Sequence, residues 1–137
     1  MSPELRALVR SFRVVAVLGA HDDGSRPASY VPDALHRAGV RILPVNPRLV
    51  GARLWGEPVV AALTELTMPC DCVDVFRRAT DLPGHLDELL LMTPRPRVVW
   101  LQSGIRHDGV AASLRTAGIT VVQDRCLMVD HRAAWAT

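Results

Sequence analysis

Val14-Val15-Ala16-Val17-Leu18-Gly19 is an uninterrupted apolar run, rich in β-branched residues, that stops at a glycine. Its length suits a single strand, and its lack of apolar/polar alternation suits a strand covered on both faces, as in a parallel sheet. Four further runs repeat the pattern. Arg41-Ile42-Leu43-Pro44-Val45 ends at Asn46-Pro47, and Cys72-Val73-Asp74-Val75-Phe76 ends at Arg77-Arg78. Val98-Val99-Trp100-Leu101 ends at Gln102-Ser103-Gly104, and Ile119-Thr120-Val121-Val122 ends at Gln123-Asp124-Arg125. Pro44 removes a ladder donor and is expected at a strand end or a bulge.

Helical spacing fills the intervals. Val31, Ala34, Leu35 and Ala38 follow i, i+3, i+4, i+7, with Gly39 where a C′ glycine belongs. Leu82, Leu86, Leu89 and Leu90 form a second stripe, with Thr80 or Asp81 as cap and Pro83 in the first turn. Val110, Leu114 and Ala117, closed by Gly118, form a third, and Val59, Val60, Leu63 and Leu66 predict a short helix after Pro58. Leu5, Leu8, Val9 and Phe12, behind Ser2-Pro3, predict an N-terminal helix. Strands alternating with helices define the α/β class: a Rossmann-like three-layer fold, with a five-stranded parallel sheet and helices on both faces. The 137 residues make one domain, 1–137, with residues 1–12 as a helix packed on the outside.

Composition narrows the function. Apolar residues make up 49% and charged residues 22%, enough for a packed core. The net charge of +2 comes from scattered arginines, not a basic run, so no nucleic-acid footprint is expected. All 16 basic residues are Arg, which excludes Schiff-base and Walker-type lysine chemistry. Three cysteines, an odd number behind no leader, fit a reducing cytoplasm. No apolar stretch approaches the roughly 20 residues of a membrane helix. Neither His-Glu-x-x-His nor Cys-x-x-Cys occurs, so no metal site is expected.

Doubly wound sheets bind ligands beyond the strands' carboxyl ends, so the residues after each run are the candidates. The first loop offers Gly19, Ala20 and His21, with Ser25 and Arg26 beyond; a small-residue turn into a helix can present backbone N–H groups to phosphate. The second end offers Asn46, Pro47 and Arg48 in place of the acid that grips an NAD ribose. Phe76 can stack on a flat base while Arg77 and Arg78 meet phosphates. Gln102, Gly104 and Ile105 close the fourth end. Cys126, beside the positive charge of Arg125, is the one nucleophile near the rim. His21 and His107 follow strand ends; His36 and His85 fall on helices and are expected to face solvent. Trp55 either covers the ligand edge or closes its loop. No residue is assigned a catalytic role.

The specific stretches are Pro44-Val45-Asn46-Pro47, Gly56-Glu57-Pro58-Val59, Val73-Asp74-Val75-Phe76-Arg77-Arg78, Val99-Trp100-Leu101-Gln102-Ser103-Gly104-Ile105-Arg106 and Asp124-Arg125-Cys126. Together, from about Val14 to Asp130, the chain resembles the small stand-alone CoA-binding proteins of bacteria, whose Rossmann-like domain also occurs in the succinyl-CoA ligase alpha subunit. The resemblance implies coenzyme A or an acyl-CoA lying across the strand ends. Its phosphates or pantetheine would lie near Gly19, Ala20 and His21, and its nucleotide over Asn46, Pro47 and Arg48, beside Phe76, Arg77 and Arg78. Gln102 and Gly104 would line the far side. The family tends to have a serine soon after the glycine and a basic residue further on; here Ser25 and Arg26 would supply them from a longer loop. The ligases use a second domain and a partner subunit, so this chain is expected to bind without ligase catalysis. The alternatives are an NAD(P)-dependent oxidoreductase-like domain, against which the missing G-x-G-x-x-G speaks, and an interaction module with a vestigial cleft. A protein partner or homodimer is left open.

Overall fold

A computed structural model describes residues 1–136. The helices are α1 (Pro3–Arg10), α2 (Pro27–Arg37), α3 (Leu82–Leu91), α4 (Asp108–Thr116) and α5 (Leu127–Trp135). The strands are β1 (Val14–Leu18), β2 (Arg41–Val45), β3 (Arg53–Leu54), β4 (Glu57–Pro58), β5 (Cys72–Val75), β6 (Val98–Leu101) and β7 (Thr120–Val122). Five of these strands form one parallel sheet in the order β2-β1-β5-β6-β7, while β3 and β4 pair as a small antiparallel hairpin. The chain steps outward from β1 to β2 and returns on the other side at β5. The order therefore reverses between β1 and β5, where a doubly wound sheet opens its ligand crevice.

Alternation along β5 shows how both faces are covered. Val73 and Val75 join one buried cluster, with Leu82 and Leu89 of α3 and Leu114 of α4. Cys72 joins the opposite one, with Val9 of α1, Val31 and Leu35 of α2, and Leu127 and Ala134 of α5. Trp100, fully buried, meets Phe12 edge-on with ring centroids 6.3 Å apart and donates through Nε1 to Arg125 O at 2.7 Å. This is the three-layer Rossmann-like α/β fold expected from the runs. Among the described residues no helix is long and apolar enough to cross a membrane.

Several local expectations are corrected. Pro44 lies inside β2, in register with Val17, with neither a strand end nor a bulge. The strand is an edge, and its backbone groups alternate: Arg41 N–H donates inward to Arg13 O, whereas Asn46 N–H and Pro44 O turn outward to Val60. The donor that Pro44 lacks is thus one that β1 never receives. Val59 and Val60 are not helical. Val60 bridges to Val45 and covers the open edge, leaving only a single turn at Leu63–Glu65. Ser2 caps α1 by accepting from Leu5 N–H at 3.1 Å, but the helix stops at Arg10, short of Phe12. Asp81 precedes α3 without capping it, because its carboxylate is taken by Arg78 at 3.2 Å. His85 is half-buried against Glu88 and not turned to solvent.

Helix α5 was not foreseen. Asp130 and His131 interrupt its apolar pattern, yet both are buried. Its carbonyl end is held by α1, where Arg6 Nη1 donates to Ala133 and Ala134 O at 3.1 Å and Arg10 Nε to Ala134 O at 2.6 Å.

Candidate functional site

A cleft of about 1120 Å³ opens at the carboxyl ends of β1, β2, β5 and β6. Thirteen of the candidate residues line it: Gly19, His21, Arg26, Asn46, Pro47, Arg48, Phe76, Arg77, Arg78, Gln102, Gly104, Ile105 and Cys126. Ala20 and Ser25 do not. Ala20 is fully buried, and the Ser25 hydroxyl donates to Asp23 Oδ1 at 2.7 Å. Tyr30, 42% exposed on the cleft wall, was missed. The available signal was an aromatic lying off the apolar stripe in the first turns of a helix that starts at a strand end.

The floor is built where β1 meets β5. Phe76 N–H donates to Leu18 O at 2.9 Å, and the next residue, Gly19, has φ +90°. A Cβ on Gly19 would lie 2.6 Å from Phe76 O, so only glycine lets the two strand ends approach this closely. The first three backbone donors of this loop are already taken. Gly19 and Ala20 N–H both donate to Val45 O, and His21 N–H donates to Ala28 O. These three donors are spent within the fold.

Asn46 locks two loops together. Its Nδ2 donates to Ala20 O at 2.8 Å and its Oδ1 accepts Arg48 N–H at 2.9 Å. The position that carries a ribose-binding acid in dinucleotide enzymes is therefore occupied structurally. Of the four cleft arginines, Arg26 approaches Asp23 at 3.6 Å and Arg78 approaches Asp81 at 3.2 Å. Among the described residues, Arg48 and Arg77 have no carboxylate partner, and the buried Arg77 Nε has no hydrogen-bond partner at all.

At the other end Gln102, 4% exposed, accepts Leu127 N–H at 2.9 Å through Oε1, which seats the start of α5. Asp124, at φ 55°, accepts Gly104 N–H at 2.6 Å. Arg125 does not serve Cys126. Its guanidinium forks onto Asp130 at 2.6 and 3.0 Å, and that hydrogen-bonded carboxylate raises its pKa further. His107 does not face the cleft; it caps α4, accepting Val110 N–H through Nδ1 at 3.0 Å. Trp55, at φ 54°, packs against the cluster beneath α2 and lines no part of the cleft.

One group on β5 is anomalous. Asp74 is fully buried, neither carboxylate oxygen has a hydrogen-bond partner, and burial pushes its pKa well above the ordinary value. Its register neighbours are Val17 and Trp100.

Comparison with known proteins agrees with this geometry. YneT, an uncharacterized protein of Bacillus subtilis, is 36% identical over 128 residues, covering 93% of this chain and 92% of that one. The solved structure of cell-free ID.343 from Thermus thermophilus matches with a TM-score of 0.93 at 52% identity, over 98% of this chain and 100% of that one. A dinucleotide-forming acetyl-coenzyme A synthetase 1 from Ca. Korarchaeum cryptofilum shares the fold, with a TM-score of 0.68 at 16% identity, over 80% of this chain and 25% of that one. The family model of the CoA binding domain matches residues 13–132, spanning every strand of the main sheet and every strand end that lines the cleft. This chain belongs to the CoA-binding domain family.

Proposed function

We propose that the cleft binds coenzyme A or an acyl-CoA, that the chain performs no ligase reaction of its own, and that it works in the cytoplasm. The observation that carries this reading is the pair Arg48 and Arg77, two guanidinium groups without carboxylate partners that line the same cleft as Phe76. Free guanidinium forks suit phosphate oxygens, and an adjacent aromatic face suits a purine.

Native mass spectrometry of the freshly purified protein, followed by thermal unfolding with added CoA, acetyl-CoA or NAD, tests the reading. A ligand bound only by the folded state raises the midpoint. CoA or an acyl-CoA should co-purify or raise it, with acyl-CoA remaining intact after prolonged incubation. A shift from NAD alone would overturn the assignment. No shift from any nucleotide, together with a stable complex with another protein or a second copy, would replace it with an interaction module.

A further inference from the structure

We propose that Cys126 is a thiol–disulfide exchange site served by the disulfide form of the cleft's ligand, so that CoA disulfide transfers one CoA to the chain there and releases the other. The proposal rests on the CoA reading above and adds regulation of that site by redox state.

The three cysteines differ sharply. Cys70 and Cys72 are buried; burial pushes the Cys70 thiol up to about 11 and the Cys72 thiol well above its ordinary value. Cys126 is half-buried and lines the cleft at the start of α5. An independent feature beside it points to a docked ligand. Gln102 is 4% exposed, and its Oε1 is committed to the N–H of Leu127, the residue after Cys126. Its amide NH2 has no acceptor among the described residues, yet Gln102 lines the cleft. That NH2 is open to the cleft, and a ligand amide carbonyl there would accept from it. The cleft thus has an arginine end, with Arg48 and Arg77, and an amide-and-thiol end, with Gln102 and Cys126. CoA has the same polarity: phosphates and adenine at one end, then an amide arm, then sulfur.

The step needs no separate oxidant. The Cys126 thiolate attacks one sulfur of CoA disulfide and forms a Cys126–CoA disulfide. The original S–S bond breaks, and the departing CoA thiolate takes up a proton. One disulfide is exchanged for another, and excess thiol reverses it.

The full chain is incubated with CoA disulfide or, separately, with oxidised glutathione at equal concentration, then followed by intact-mass measurement and peptide mapping. One CoA adduct per chain should form on Cys126 at least about tenfold faster than the glutathione adduct, because binding makes the attack effectively intramolecular. Dithiothreitol should reverse the adduct and Cys126→Ser should lack it, while mapping on the unaltered chain locates it even if the variant fails to fold. Arg48→Ala should slow the CoA reaction and leave the glutathione reaction unchanged. Equal rates from both disulfides, or an adduct mapped elsewhere, would overturn the proposal. No adduct, with CoA under reductant still raising the unfolding midpoint, would also overturn it and leave the CoA reading intact. No adduct and no midpoint shift would remove both.

Discussion

Replacing Asp74 by Asn should change how the stability of this protein depends on pH. Asp74 is fully buried on the central strand, and neither oxygen has a partner. An ionised carboxylate there would cost far more than a neutral one, so the folded chain keeps its proton above the ordinary value of 3.8. Above pH 3.8 the unfolded chain loses that proton while the folded chain holds it. The folded state then binds more protons, and stability falls as pH rises, by up to about 1.4 kcal/mol per pH unit until the folded carboxyl itself ionises. Below 3.8 both states are protonated and the dependence vanishes. His131 works in the opposite direction: burial lowers its pKa, so its contribution is full above 6.5 and is lost as pH falls. That contribution is common to both proteins and cancels in their difference. Asp71 and Asp23, both held below 3.8, titrate outside the window. Urea unfolding at a series of pH values above 3.8 should therefore show the parent losing stability relative to Asp74→Asn as pH rises, by up to about 1.4 kcal/mol per unit while the folded carboxyl keeps its proton. Asp74→Val, which removes the orphaned group, should exceed the parent at pH 7 by at least about 1 kcal/mol. Parallel pH profiles for the parent and Asp74→Asn would refute the argument, because they would mean that the carboxyl ionises in the fold as it does in the unfolded chain.

Three further outcomes are expected. Gly39→Ala, at φ +97° in open space, should lose only the left-handed cost of about 1–2 kcal/mol. Gly19→Ala should lose at least about 1 kcal/mol more, because its Cβ meets Phe76 O; equal midpoints for the two variants in denaturant titration would contradict the close approach. Arg48→Ala and Arg77→Ala should each weaken CoA binding by about 10- to 100-fold in calorimetry, as expected for losing a charge-assisted bond, and leave stability within about 0.5 kcal/mol. Unchanged affinity in both would remove the basis of the anion site. Asp130→Ala should cost about 1–2 kcal/mol in thermal unfolding, a figure kept modest because the Arg125 side chain is 44% exposed and stays solvated when its fork is broken.

The fold was legible because its determinants are local. Five apolar β-branched runs, spaced by helical stripes, leave a parallel sheet as their consistent arrangement. The loop ends then mark a cleft that thirteen of fifteen candidates line. Legibility failed where a residue's role depends on a distant partner. The Val59-Val60 pair carries apolar spacing that fits a helix turn as well as an edge-covering strand, and only the open side of β2 selects the second. Helix α5 was hidden because Asp130 and His131 look solvent-facing until Arg125 and the neighbouring helices enclose them.

The sequence by itself determined the α/β class, the strand ends that form the crevice and the family, since each is encoded in short-range patterns and in motifs that stay together along the chain. Tertiary structure decided which groups in that crevice remain available. The N–H groups of Gly19 and Ala20 are consumed by Val45, and the Asn46 amide NH2 by Ala20, while the Arg77 Nε is left without a partner and Asp74 without a hydrogen bond. The reason is that a hydrogen-bond donor or acceptor can be spent on only a limited number of partners. Which partner takes it is settled when segments more than 20 residues apart come into contact, and no local pattern records that.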